Sequence, residues 1–259
     1  MEGWAVAAVL GAGGAAGAIN AVVGSGTLIT FPTLLALGYP AVTANISNNI
    51  GLVWGGLSST WAYRRELRSQ RRRAAWLLPA SGAGALTGAL LLLRLPPGVF
   101  RAVVPVLIAL SLVLVVAQPR IARRTARRAA QEAPASGTTA RPRPLLALGV
   151  LATGVYGGYF GAAQGLMLLG LLGTFLSQPL QSTNALKNLL ATMANAVATT
   201  VFLMVAPAHV DWAVTGLIAL GATVGGHLGA RIARHLPPRA LRLVILTVGL
   251  LALARLLLS

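Results

Sequence analysis

Gly24-Ser25-Gly26 cuts a short apolar run, residues 25–37, away from the longer run that precedes it at 4–23. Gly161-Ala162-Ala163-Gln164-Gly165 does the same between 145–160 and 164–176. A membrane-crossing helix needs about 20 mostly apolar residues. Segments 25–37 and 164–176 are short for that, and each ends near a proline, Pro40 or Pro179. Such interrupted runs are expected to form broken or re-entrant half-helices. The remaining apolar segments are 41–63, 74–93 and 98–118, then 183–206, 211–230 and 239–258. The expected fold is therefore an all-α polytopic membrane protein with about five hydrophobic segments in each half.

Composition agrees. Of 259 residues, 56% are hydrophobic and 10% charged, where a soluble domain carries about 25% charged residues. Mean hydropathy is +0.76. Thirty glycines also suit membrane helices, which tolerate glycine well. A net charge of +17 would ordinarily point to nucleic acid. Here the arginines crowd into short runs between apolar segments, as cytoplasmic loops do, and no nucleic-acid-reading module is visible. With no cysteine, disulfides, thiolate metal sites and cysteine nucleophiles are excluded. The start, Met1-Glu2-Gly3-Trp4, lacks the basic region of a cleaved signal peptide.

The two halves repeat. A shift of 139 residues carries Gly26 onto Gly165, Pro40 onto Pro179, Asn45 onto Asn184, Asn49 onto Asn188 and Thr60 onto Thr199. A shift of 141 then carries Gly84 onto Gly225, Gly88 onto Gly229, and Leu95-Pro96-Pro97 onto Leu236-Pro237-Pro238. Residues 1–118 and 145–259 are read as two repeats. Residues 119–144, with Arg120, Arg123, Arg124, Arg127 and Arg128, are read as a basic cytoplasmic connector, helical at first and then flexible. Charge orients the copies. Arg64-Arg65-Glu66-Leu67-Arg68-Ser69-Gln70-Arg71-Arg72-Arg73 corresponds to Ala206–Asp211, which has no arginine. Around Pro96 stand only Arg94 and Arg101, while around Pro237 stand Arg231, Arg234, His235, Arg239 and Arg242. All strongly basic loops lie inside only if the repeats have inverted topology. An odd number of crossings per repeat achieves this, and both termini then lie outside the cytoplasm.

Inverted repeats with broken helices are an architecture of secondary transporters, with the substrate near the midplane. Half-helix N-termini favour anions, and Gly24, Ser25, Gly26, Gln164 and Gly165 mark two such ends. Polar clusters follow each break: Asn45, Asn48 and Asn49 in one half, Asn184, Lys187 and Asn188 in the other. Lys187 is the sole lysine. A cation at the centre of a membrane helix costs about 2.5–3.5 kcal/mol, and no acid lies within the apolar segments to offset it. An anionic substrate is the expected partner; the competing reading has Lys187 snorkel to the interface, with the asparagines serving helix packing. His227 is a candidate proton relay, or a packed histidine. Three scattered histidines make no metal site. No nucleophile elbow, zinc-protease or phosphate-loop motif occurs, so an enzyme is not expected and no cofactor is implied.

Gly-x-Gly-x-Leu-Ile-x-x-Pro at 24–32, followed by Leu-Gly-Tyr-Pro-Ala-Val-Thr-Ala-Asn at 37–45, resembles the sulfite exporter TauE/SafE family of toluene-sulfonate uptake permeases. With the duplication and the central basic loop, the resemblance covers nearly the whole chain. It implies movement of sulfite, sulfonates or related anions across the cytoplasmic membrane, with the glycine breaks and polar clusters as the substrate region. The second half departs from the pattern: Ala162-Ala163-Gln164 replaces a fuller glycine run, and Leu171 and Leu172 stand where the first half has Pro32 and Thr33. The expected partners are a small anion and the lipid bilayer. Oligomeric state is left open, with a homodimer one arrangement. A carrier of another organic anion and a membrane scaffold subunit are the alternatives.

Because the chain has no cysteine, single cysteines report sidedness cleanly. Cysteines introduced across 64–73 and across 231–239 are expected to react with impermeant thiol reagents from the same side; labelling from opposite sides would refute inversion.

Overall fold

The computed structural model describes residues 1–131, 143–176, 178–232 and 238–258. Residues 132–142 of the connector, and Arg234, His235 and Pro237, fall outside these residues. All regular elements described are helices.

Helix α1 (Gly3–Val22) ends where Gly24 takes φ +85°, a left-handed conformation that glycine adopts without a Cβ penalty. α2 (Thr27–Ala36) then folds back beside α1. A Cβ on Gly26 would collide with the Ala16 carbonyl, and Thr33–Leu37 share a groove with Trp4 and Ala8 near the start of α1. At 10 residues, α2 rises about 15 Å, half of the ~30 Å hydrocarbon thickness. The second half repeats this plan. α7 (Arg143–Tyr159) stops before Gly161, at φ +78°, and α8 (Gln164–Phe175) follows.

The long helices are α3 (Ala41–Ala62), α5 (Arg71–Arg94), α6 (Pro97–Gln131), α9 (Leu180–Val205), α10 (Trp212–Ile232) and α11 (Pro238–Leu258), with α4 (Arg64–Arg68) a short basic helix between α3 and α5. Five stretches among the described residues are long and apolar enough to cross a membrane: Gly3–Val22, Arg71–Arg94, Gly98–Arg124, Leu180–Val205 and Trp212–Arg231. α3 has the length, 22 residues, but Asn45, Ser47, Asn48 and Asn49 dilute its apolarity. α6 runs through residues 118 and 119, where the connector was expected to begin. The Ala/Arg-rich sequence after Pro119 consists of strong helix formers, so the helix continues past the apolar part. Trp4, Trp61, Trp76 and Trp212 are exposed near helix ends, where amphipathic indoles suit the membrane interface.

The most extensive contacts all join a helix before the connector to one after it. α1 packs on α10 and α5 on α7; α3 lies on α10 and α9 on α5; α3 crosses α9, and α8 packs on α6. Glycines set these distances. Cβ atoms on Gly84 and Gly88 would collide with the Leu151 and Val155 carbonyls, so α5 and α7 run parallel in close backbone contact. Gly13 and Gly17 meet Ile218 and Ala222 in the same way, making α1 parallel to α10. Small residues at membrane-helix interfaces allow this approach. One end of the molecule gathers Arg73, which donates to Gln178 Oε1 at 2.9 Å, and Gln70, whose Nε2 donates to the Ser182 carbonyl at 2.6 Å. At the opposite end of α9, Asp211 caps α10 by accepting from the Val214 N–H at 3.0 Å.

Gly88→Leu is expected to destabilise the protein by about 1–3 kcal/mol or more through overpacking. The melting temperature in detergent should fall, while Gly216→Ala, where an added Cβ meets nothing within 4 Å, should leave it unchanged.

Candidate functional site

The two breaks touch each other. Gly165 N–H donates to the Gly24 carbonyl at 3.1 Å, and a Cβ on either glycine would lie 2.5 Å from the other's Cα. Ala163 occupies the repeat position of Gly24 and keeps its left-handed backbone, with φ +60°. The loss of glycine there has not changed the geometry; it leaves strain of about 1–2 kcal/mol.

A helix that ends inside a bilayer leaves carbonyls without partners. Each half supplies side chains to the other's broken helix. Lys187 Nζ on α9 donates to the Asn20 and Ala21 carbonyls, at 3.3 and 3.4 Å, in the last turn of α1. Asn188 Nδ2 adds a bond to Ala21 O at 3.2 Å. Reciprocally, Asn45 Nδ2 on α3 donates to the Tyr159 carbonyl at the end of α7, at 3.0 Å. Lys187 is 0% exposed, so it does not snorkel. Its protein partner is the negative end of the α1 dipole rather than an acid. Both contacts are long beside the 2.7–2.9 Å of charge-assisted bonds. They use two of the ammonium's three donors.

Lys187, Asn188, Gln164, Gly24 and Gly165 line one small cavity, about 30 Å³ in volume. That is about the room of one water molecule. Other expected site residues lie elsewhere. Gly26 donates its N–H to Asn20 Oδ1 at 2.6 Å. Asn48 binds Thr30 and Thr27, tying α3 to α2. Asn49 accepts from Thr199 at 3.2 Å, tying α3 to α9. Ser25 and Asn184 are buried but outside the cavity lining. His227 is half-buried on α10 and does not line the cavity.

The backbone N–H groups that start the half-helices are less free than their position implies. Those of Leu28 and Ile29 bond to Ser25 and Gly26 carbonyls, and those of Leu166 and Met167 to Ala163 O. Buried side-chain atoms without partners among the expected site residues are Ser25 Oγ, Gln164 Nε2, Asn45 Oδ1 and Asn184 Oδ1.

Asn20, Thr27, Ser59, Thr192 and Asn195 also line the cavity and were not singled out from sequence. The signal was present. Asn184, Lys187, Asn188, Thr192 and Asn195 follow one helical face, as do Asn45, Asn48, Asn49, Gly56 and Ser59. Asn20 is the lone amide in α1.

Interrupted helices, apolar spans and a buried polar centre define a multi-pass membrane protein of the transporter class. Residues 9–256 match the family described as Sulfite exporter TauE/SafE, and the chain belongs to that family. A "Probable membrane transporter protein YfcA" of Escherichia coli (strain K12) is 25% identical over 246 residues, 93% of this chain and 86% of that protein. A "Probable membrane transporter protein" of Haemophilus influenzae is 25% identical over 219 residues, 83% of this chain and 79% of that one. A Sinorhizobium sp "Probable membrane transporter protein ORF9" is 34% identical over 98 residues, 38% of each chain. No solved structure gives a significant match.

Gly165→Ala is expected to push the breaks apart, costing about 1–3 kcal/mol of stability and abolishing transport. Ala163→Gly should be tolerated, with a melting temperature unchanged or raised, since it relieves left-handed strain. Equal tolerance of both substitutions would show that the contact between breaks is not required.

Proposed function

We propose that this protein is a secondary carrier that exports sulfite, or a small organosulfonate anion, across the cytoplasmic membrane by alternating access. The observation that carries the reading is the meeting of two broken helices at Gly24 and Gly165 beside the buried ammonium of Lys187. A positive group with an uncommitted donor, an unpartnered Gln164 amide and the N-terminal ends of α2 and α8 form an environment suited to an oxyanion. Asn20, Asn188, Thr192 and Asn195 add neutral donors and acceptors around it. Asn45, Asn48 and Gly26 act one layer out, holding the broken helices in place, Asn49 ties α3 to α9, and Ser25 and Asn184 are buried beside them.

Inverted repeats, residues 1–118 and 145–259 about the basic connector 119–144, are supported by helix direction. α5 begins at the end that carries Arg73, Gln178 and Ser182, and α7 runs parallel to it. α9 starts at that same end, so α10 begins at the opposite one, and α1 runs parallel to α10. The two broken-helix pairs therefore enter from opposite faces. The positive-inside rule assigns the arginine-bearing end to the cytoplasm, with the termini outside.

The cavity's 30 Å³, room for about one water molecule, fits a state closed to both faces that must widen before it takes an oxyanion. An inside-negative potential drives a monovalent anion outward with about 2.3 kcal/mol per 100 mV. Export then needs no coupling ion. Uptake would need one, with His227 the titratable candidate outside the cavity.

In proteoliposomes, wild-type protein is expected to move sulfite down its gradient, faster under a potential that favours exit. Lys187→Ala should reduce the rate at least tenfold while remaining folded by size-exclusion chromatography. Sulfite flux at the wild-type rate in Lys187→Ala would remove the lysine from the site. Wild-type flux of other organic anions without sulfite would favour a different cargo, and no flux of any anion would favour a scaffold.

A further inference from the structure

The arginine-bearing end holds a second and larger hollow, of about 430 Å³. Tyr63, Arg64, Arg65 and Glu66 border it from the α3–α4 junction, Gln181 from the first turn of α9, and Arg231 from the last turn of α10. Three guanidiniums thus face one carboxylate. Arg64 is anchored: its Nη1 donates to the Trp61 carbonyl at 3.2 Å, and its guanidinium lies 5.1 Å from the centroid of the Trp61 ring. Arg65 and Arg231 have no hydrogen-bond or ion-pair partner among the described residues. The two arginines come from opposite halves of the chain and meet only through the fold.

The hollow lies one helical turn from the closed cavity. Ser59 lines the cavity and Tyr63 the hollow, and the Tyr63 N–H donates to the Ser59 carbonyl at 3.1 Å. On α9, Gln181 and Lys187 are separated by about 9 Å of helix rise. Tyr63 lines the hollow and is only 4% exposed, one helical turn from cavity-lining Ser59. On the other side of the breaks, Phe31, Phe100 and Phe160 are at most 2% exposed. Phe160 meets Phe31 edge to face at 5.2 Å between centroids and Phe100 at 6.2 Å.

We infer that the hollow is an anteroom for small inorganic oxyanions, a low-affinity site that gathers the anion at Arg65 and Arg231 before it passes Tyr63 to the Lys187 cavity. The inference rests on the anion-carrier reading. A cleft lined by one sign of charge raises the local concentration of the opposite ion. Over the Debye length of about 8 Å at physiological salt, that effect is confined to the cleft. The lining is mostly polar, with Ala62, Ala230 and the Tyr63 ring its apolar contributors, and a free oxyanion in water is the ligand that its guanidinium and amide groups fit.

The test is sulfite flux in proteoliposomes of known orientation, with sulfite offered on one side at a time at low ionic strength. Arg65→Gln combined with Arg231→Gln should raise KM about three- to tenfold when sulfite enters at the arginine side. The maximal rate and the KM from the opposite side should be unchanged. Arg65→Lys with Arg231→Lys should keep the wild-type KM, and Glu66→Gln should lower it. Added salt should shrink the differences. Wild-type KM on the arginine side in the double glutamine variant, or a raised KM in Glu66→Gln, overturns the anteroom alone. Absence of sulfite flux in wild-type protein overturns the sulfite-carrier reading and the anteroom with it.

Discussion

Contact between the Gly165 N–H and the Gly24 carbonyl, 3.1 Å long, sets the terms for the rest of the molecule. Two helices stop where lipid-buried protein has no bulk water to satisfy their ends, so each open backbone group must find a partner inside the protein. Lys187 and Asn188 serve the end of α1, and Asn45 the end of α7. Asn20 serves the start of α2, and Ser111 donates to the Ala162 carbonyl at 3.1 Å within the second break. The polar residues of the membrane segments are thus first a hydrogen-bonding requirement of the breaks. Their availability to a ligand follows from what that requirement leaves over, which is one lysine donor and the Gln164 amide.

The duplicated scaffold holds a centre that is not duplicated. Asn48 and Lys187 occupy equivalent positions in the repeat, yet Asn48 binds α2 in its own half while Lys187 reaches α1 in the other. A side chain as long as lysine spans the gap that asparagine does not. Two lysines at these positions would repel each other across a low-dielectric interior; one lysine opposite one asparagine avoids that cost. The cavity consequently draws its charge from α9 and its close backbone approach from Gly24 and Gly165.

Glycine interruptions made the breaks legible, because a helix stop of this kind survives in side-chain chemistry. Lys187's partner was invisible, since backbone carbonyls carry no letter in the sequence and become acceptors only where a helix stops. Asn20 was passed over as a single polar residue in an apolar helix, although its place just before the break is what lets it hold Gly26. The site was therefore half legible. Lys187, Asn188, Gln164, Gly24 and Gly165 do meet at one cavity, whereas Asn45 and Asn49 turn toward partners in the other half and Asn48 toward α2. The connector was expected to be helical at first; what Pro119 concealed is that this helix is continuous with the apolar run before it.

Interleaving also restricts how an alternating-access movement can proceed under the proposed function. Residues 1–118 and 145–259 cannot rock against each other as rigid bodies, because α1 is locked to α10, and α5 to α7, by glycine contacts with no slack. α3 joins the first pair, where a Cβ on Gly55 would lie 2.8 Å from the Ala222 carbonyl oxygen. α9 joins the second through Ser81 Oγ, which donates to the Leu190 carbonyl at 2.8 Å. The rigid units are then α1–α3–α10 and α5–α7–α9, each built from both repeats. They meet along α3 and α9 through isolated polar contacts, Asn49 with Thr199 at 3.2 Å and Thr60 with Thr192 at 3.3 Å. They meet again at Lys187 and the carbonyls of α1, at 3.3 and 3.4 Å. That seam passes through the cavity. Hydrogen bonds of this kind contribute about 1 kcal/mol each, and the seam's close approaches are two, Gly24 to Gly165 and Gly56 to Thr192, against the longer glycine faces within each unit. A movement that enlarges the cavity enough for an oxyanion therefore opens this seam, and the lysine that caps α1 is the group whose bonds must be exchanged for the anion's.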